Sequence, residues 1–410
     1  MNELKILVIG SIYKNTLADS RNNLIETLLS NNSVFIDIQE IYNKYGFYGT
    51  HAYLTDYIKK NEINSVIYVG VSQWEFYLDI SFFEKLRKDL FLVMETGDAE
   101  YYYETIIQYY AQAMDLVIVD DFVTPYRLRQ IGINSLFYYS YLDTTHYYKK
   151  ENVKKDIDVS FVGTITGRIG RSKYINYLLK NGINIKTFGW DSDSGVISQG
   201  KKIEIFNRSK INLNLTGLYY KSKIVKKNPI KKRIKGSKGT LLEVLSCGGF
   251  VLSEYYFGLE NLFEFDKEIV IFRTKEELLE KVKYYLQHEA ERENIAKRGH
   301  QRVIKDYNVK LAVPKLLATI DELRKEKVYR PSEIFVDDEF IKNYTTFRVL
   351  LILRFIKAGK WKFAFEELKI ALKYRKFDWY QIHMFFIEEI FDSFPKIKLM
   401  LKIFLGKCKK

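Results

Sequence analysis

One alternation constrains this chain more than any other feature: short apolar runs recur between stretches of helical spacing, in two successive series. Leu4–Gly10 reads as a buried strand ending in glycine, and a helix follows at about 19–31 with Leu24, Ile25, Leu28 and Leu29 on one face. Further strands are predicted at Ser33–Gln39, Ser65–Gly70, Leu90–Glu95, Leu116–Asp120 and Ser135–Tyr139. Helices are predicted between them at Tyr53–Lys60, Phe82–Arg87, 100–113 and Thr124–Gln130. A second series follows the charged stretch Lys149–Asp156, with strands at Asp158–Gly163, Ile183–Gly189, Ile211–Leu215, 249–254 and Ile269–Phe272. Its helices are expected at 172–181, 239–247, 275–288 and 289–306, with a helix or turn at 199–208. Such alternation implies α/β architecture, with parallel sheets wrapped on both faces. Two wound halves joined near residue 150 imply a cleft. Ligands of open parallel sheets bind beyond the carboxyl ends of the strands, so both halves are expected to face that cleft.

From about residue 331 the composition changes to basic and aromatic, with helical periodicity and little glycine. Pro331 breaks the preceding helix, and Phe355, Ala358, Trp361, Ala364, Leu368, Ala371 and Leu372 fit a helix pair broken at Gly359. This is the pattern of one tetratricopeptide-like hairpin. Lys396–Lys410 alternates lysine with Ile, Leu, Met and Phe at roughly helical spacing, which suits a membrane-surface anchor. A dimerisation or partner module, and plain packing onto the first domain, fit the region equally.

Bulk properties narrow the function. At roughly 100–200 residues per domain, 410 residues suggest two or three domains. The apolar runs fall short of the ~18–20 residues a membrane-spanning helix needs, and the run at Ile6–Ile9 is too short for a secretory leader. Two cysteines, Cys247 and Cys408, and five scattered histidines supply neither a disulfide framework nor a zinc set, so the cytosol is the default compartment. The net charge of +14 points to an anionic partner: a phosphorylated small molecule, a membrane surface or a nucleic acid.

Three segments can carry chemistry. In Gly239–Leu252 a loop leads into a short helix, a Gly248-Gly249 break and a buried strand. Glu243 on that helix can accept two hydrogen bonds from a ribose diol, and the helix start at Gly239 and Thr240 suits a diphosphate. A solvent-facing glutamate on an ordinary unit is the competing reading. In Phe161–Arg171 a strand ends at Gly163, and a glycine-rich turn brings Arg168 and Arg171 to a helix start. Arginine forks match phosphate oxygens, although two solvated loop arginines would look the same. From Lys221 to Lys238 the chain is densely basic, with no acid. The run lacks the interleaved aromatics of base-stacking readout, which argues against nucleic acid. Most of these lysines read as solvated charge, and Arg233, Lys235 and Lys238, nearest the Glu243 helix, are the better functional candidates.

Four stretches in this order resemble one known family: "DVSFVGTITGRIGRSKYINYLLKNGINIKTFGW", "NRSKINLNL", "TLLEVLSCGGFVLSEYYFGLENLFE" and "YYLQHEAERENIAKRGHQRVIKDY". Over about 156–308 the chain resembles the group 1 glycosyltransferases, in the branch related to the spore-maturation protein CgeB. The resemblance implies a GT-B fold, with two Rossmann-like domains facing a cleft. The acceptor domain would be 1–150 and the donor domain 151–325, with 331–410 an added helical region. It implies a nucleotide-diphosphate sugar as donor, no required metal or other cofactor, and retention at the anomeric carbon. Glu243 matches the second glutamate of the family's E-x7-E motif, the ribose ligand. Eight residues earlier the family's glutamate is replaced by Lys235, which alters the end of the site that meets the donor sugar. Arg168 or Arg171 falls where the family places a cation for the diphosphate. Gly163, Gly189, Lys238, Gly239 and Thr240 complete the expected donor site, and Phe188-Gly189-Trp190 can wall the base or belong to the core.

In the first half, Glu95-Thr96-Gly97-Asp98 follows a buried strand. Asp98 there can orient or deprotonate an acceptor hydroxyl, or serve as a turn or helix cap. Asp98, Arg171 and Lys235 are therefore the expected catalytic groups. Asp120-Asp121 also ends a strand, and His51 and His146 are isolated histidines. The leading function is hexosyl-type transfer to a glycan, lipid-linked or protein hydroxyl, in the cytoplasm or at the inner face of the membrane. The alternative is a non-catalytic nucleotide-binding or scaffold protein of the same fold.

Overall fold

The computed structural model describes residues 3–12, 20–70, 76–139, 142–168, 170–192, 194–218, 235–236 and 238–390. Most of the basic run, including Arg233, and all of Lys396–Lys410 lie outside these residues. The first sheet is wholly parallel, in the order β2-β1-β3-β4-β5-β6. Its strands are β1 (Ile6–Gly10), β2 (Val34–Asp37), β3 (Ser65–Val69), β4 (Phe91–Thr96), β5 (Leu116–Val119) and β6 (Ser135–Phe137). β1 sits between two neighbours, Leu7 facing Val34 and Val66, and all five of its residues are buried. This is why the run is continuously apolar and does not alternate.

The second sheet is parallel in the order β11-β10-β9-β7-β8, from β7 (Ile157–Val162), β8 (Ile185–Phe188), β9 (Ser209–Asn214), β10 (Val251–Glu254) and β11 (Val270–Phe272). The helices that bear on the argument are α1 (Ser20–Leu29), α2 (Ile38–Lys60), α3 (Ile80–Leu86), α4 (Thr124–Gln130), α5 (Arg171–Lys180), α6 (Gln199–Arg208), α7 (Gly239–Ser246), α8 (Lys275–Gln287), α9 (Glu289–Asp306), α10 (Val309–Lys325), α11 (Asp338–Lys357), α12 (Trp361–Tyr374) and α13 (Trp379–Ile390). The two-sheet α/β architecture is the expected one.

Three elements differ from the sequence expectation. The helix expected at Tyr53–Lys60 starts at Ile38, because the Asp37 carboxylate accepts from the Gln39 and Glu40 amides and caps it. Its continuity is masked in the sequence by Gly46, a kink at φ 70° where a side chain would collide with the ring of Phe363. Secondly, α10 does not stay with the second sheet. Its Val309, Val313, Leu316 and Ile320 pack with Ile6, Val8, Leu24 and Leu28, so the chain crosses back to the first domain before residue 325. Thirdly, α11 and α12 form the helix pair expected around Gly359, but not a separate unit. Phe340, Phe347, Leu351, Phe355 and Ala364 share one core with Leu7, Tyr42, Leu54 and Phe83 of the first domain.

Candidate functional site

The carboxyl ends of the two sheets meet. Asp98, two residues beyond β4, accepts from Nζ of Lys238, the residue before α7, at 3.0 Å. Nearby, Phe122 from the loop after β5 rests on Gly258 beyond β10, where any Cβ would overlap its ring. The Asp98 backbone is left-handed (φ 51°) and its side chain makes no capping bond to the helical turns that follow. The carboxylate is thus turned across the cleft, and it does not serve as the helix cap considered from sequence.

Glu243 is buried in α7 with both carboxylate oxygens engaged. Tyr147 Oη donates to Oε1 at 3.1 Å, and Lys202 Nζ, from α6, lies 2.5 Å from Oε2. Lys202 also donates to Tyr147 Oη at 3.2 Å, closing a three-membered cluster. Tyr147 and Lys202 carry no local sequence signal, since they come from the segment that joins the two series and from one expected only to be a helix or turn. Cys247, one turn on, has its thiol pushed up to about 12 by burial and by the Glu243 charge, so it is not a nucleophile. At the head of α7 Gly239 is exposed, with no atom within 4 Å of where a Cβ would sit, and Thr240 is half-buried. Gly248 and Gly249 serve packing: side chains there would meet Lys149, and Val244 and Asn212.

Lys235 and Gly236 are stitched to the end of β9, Lys235 bridging Gly217 and the Gly236 amide donating to Thr216 O at 3.1 Å. The Lys235 ammonium is 2.9 Å from Oε1 of Glu254, a nearly fully buried carboxylate at the end of β10. Glu254 also accepts from Tyr174 Oη and from the amide and hydroxyl of Thr216, at 3.0–3.1 Å. Glu254 was missed in the sequence reading, although an acid closing the apolar strand Val251-Leu252-Ser253-Glu254 is a usable signal.

Arg171 is buried. Its Nη1 donates to Thr164 O at 2.7 Å and its Nη2 to Leu215 O at 2.9 Å, tying the loops after β7 and β9 together. That geometry spends both terminal nitrogens of the guanidinium on backbone carbonyls of the two loops. Arg168 is half-buried in the same turn. Gly163 and Gly189 face each other: a Cβ on Gly189, at φ 120°, would lie 2.7 Å from Gly163 O. Their smallness permits this close approach of backbone to backbone. Phe188 goes into the core while Trp190 stands 69 % exposed beside the turn.

Beyond the end of β5, Asp121 accepts from the Val123, Thr124 and Glu100 amides and so holds the start of α4. Asp120 is held well above the usual carboxylate range, first by burial, then by the neighbouring charges of Asp98 and Asp121, with Lys238 pulling the other way. A raised carboxyl binds its proton more tightly folded than unfolded. Its cost to stability therefore grows as pH climbs from the unfolded value, about 3.9, through the folded one. Asp120→Asn is expected to raise the melting temperature at pH 8, by about 2–4 °C for each kcal/mol relieved. The gain should vanish toward pH 4, and a gain independent of pH in thermal melts would refute this origin. Among the described residues no group of three or more His, Cys, Asp or Glu is placed to hold a metal ion. His51 is half-buried between Phe47 and Phe82, and the loss of solvent there lowers it to about 4, while His146 pairs with Asn23.

Residues 152–318 match the family model of glycosyl transferase-like domains. The chain carries a glycosyltransferase domain. Solved structures supply the fold of the whole. HepE of Anabaena in complex with UDP-glucose superposes with a TM-score of 0.58 at 10% identity, over 78% of this chain and 100% of that one. The sucrose-phosphate synthase of Thermosynechococcus elongatus gives 0.55 at 12% identity, over 79% and 100%. A glycosyltransferase of Rickettsia africae gives 0.54 at 12% identity, over 80% and 100%. The architecture is therefore GT-B, with α11–α13 added. No curated protein sequence matches the chain. Among the described residues no helix is long and apolar enough to cross a membrane.

Proposed function

We propose that this chain transfers a hexosyl group from a nucleoside diphosphate sugar to a hydroxyl of a glycan, lipid-linked or protein acceptor, with retention and without a metal ion. We place it in the CgeB-related branch, in the cytoplasm. The observation that carries the reading is the pairing, across one cleft, of Asp98 from the first sheet with Lys238 at the head of α7. Donor and acceptor must meet there, and those two groups stand on opposite walls. Glu243 receives the ribose, and the N-terminus of α7 with Lys238 and Arg168 receives the diphosphate. As the C1–O bond breaks, its electron pair passes to the diphosphate, and these fixed positive groups stabilise the charge that develops. The acceptor oxygen bonds to C1 and gives up its proton, which Asp98 is placed to orient or take once Lys238 turns to the phosphates. Arg171 acts through the loops it ties. Lys235, neutralised by Glu254, lines the sugar end.

Nucleotide release measured over a panel of donors tests the reading. Turnover with at least one donor is expected, unchanged by EDTA. Nucleotide binding without release from any donor and acceptor would favour a scaffold, and loss of turnover in EDTA would remove the metal-free mechanism.

A further inference from the structure

The outer face of α12 has no part in the chemistry above. Its inner face is closed, with Ala364, Glu367, Ile370 and Ala371 buried against α11 and α2. Outward stand Trp361, Phe365, Leu368 and Leu372, 65, 58, 39 and 49 % exposed. Spacings of four, three and four residues set these side chains in one line along the helix, at about 100° per residue. Lys362, Lys369 and Lys373, all exposed, form the next line, with the half-buried Glu366 between the first two. The two lines touch, Lys369 Nζ lying 4.7 Å from the centre of the Phe365 ring. Beyond the helix end, Arg375 and Lys376 are exposed, and Trp379 opens α13 at 66 % exposure. The other acid of α12, Glu366, is half-buried.

We propose that this face rests on an anionic lipid bilayer, with the indole, phenyl and leucyl groups in the interfacial layer and the lysine row among the phosphate headgroups. An apolar stripe beside a row of flexible cations is what such a surface selects. Charge decides against a second copy of the chain. Pairing two such faces would bring their lysine rows together with little acid to offset them, whereas a lipid phosphate layer is complementary. The helix is also rigidly placed, because α11 and α12 are built into the core of the acceptor domain. A membrane-seated α12 would therefore fix the orientation of the acceptor domain at the surface. The inference does not depend on the glycosyl-transfer reading.

Co-sedimentation of the full chain with vesicles tests it, using phosphatidylcholine alone and with phosphatidylglycerol at about three to one. Binding is expected to the mixed vesicles at low salt, weakening as salt screens the lysines. The variants Trp361→Glu/Phe365→Glu and Lys362→Glu/Lys369→Glu/Lys373→Glu should each cut the bound fraction about tenfold. Because every changed residue is exposed, melting temperature and nucleotide binding should stay as in the parent. Vesicle binding that survives both variants would overturn the proposal, as would no binding to either vesicle. A dimer in sedimentation velocity that the Trp361→Glu/Phe365→Glu variant dissociates would assign the stripe to a second copy and overturn it too.

Discussion

Glu367→Ala is expected to destabilise the first domain by about 3–5 kcal/mol. Glu367 of α12 and Arg348 of α11 are both fully buried and lie 3.2 Å apart. Tyr42 of α2 completes the cluster: its hydroxyl donates to Glu367 Oε1 and accepts from Arg348 Nη1, the latter at 2.7 Å. The guanidinium also lies over the Tyr344, Phe47 and Phe347 rings, at 4.4–5.6 Å from their centres. Removing the carboxylate leaves an uncompensated cation in a dry core, and that desolvation is what the loss measures. Replacing both charges, as in Arg348→Met/Glu367→Leu, removes cost and gain together and should recover most of the loss. Urea unfolding of the two variants checks this. Equal stability losses would show that packing and not charge holds the helices. The effect should resist salt, since neither group is exposed.

This cluster also shows where sequence reading stops. The strands of both sheets were legible because burial on two faces demands continuous apolar runs, as at Ile6–Gly10 and Phe91–Met94. The α7 helix, its glycine-rich start and Glu243 were legible because that chemistry is local. Nothing in the local sequence around Arg348 and Glu367 sets them apart from surface charges. Only the docking of α11 and α12 onto α2 turns them inward. The helix pair around Gly359 was visible, but its apolar residues divide differently from a repeat: Ala364 and Ala371 go in while Trp361, Leu368 and Leu372 stay out. Lys235 was visible as an odd charge in the family's pattern. Its partner Glu254 was not, because pairing across strand ends is set by the register of β9 beside β10 and by no spacing in the sequence. Tyr147 and Lys202 were invisible for the same reason.

Those two hidden partners sharpen what Glu243 is expected to do. If the carboxylate receives the donor ribose, Glu243→Ala should raise the donor KM about 10–100-fold, the loss of charge-assisted hydrogen bonds worth about 1.5–3 kcal/mol. The turnover number should change less, because the ribose is remote from the breaking bond and is held equally in ground and transition states. Lys202 makes the prediction two-sided. With its ammonium 2.5 Å from Oε2, Lys202 already neutralises the carboxylate in the free protein, and a diol must compete with that ion pair. Lys202→Met removes the competitor and leaves Oε2 of a buried carboxylate without its cation, while Tyr147 still holds Oε1. The donor KM should then fall while the donor-free protein melts lower. Opposite shifts in KM from two residues in contact are what a ligand site produces. A purely structural ion pair predicts something else: both variants lower the melting temperature together and leave KM unmoved. Steady-state kinetics beside thermal melts, with and without nucleoside diphosphate, separate the two, and a KM unchanged in both variants would take Glu243 out of the donor site.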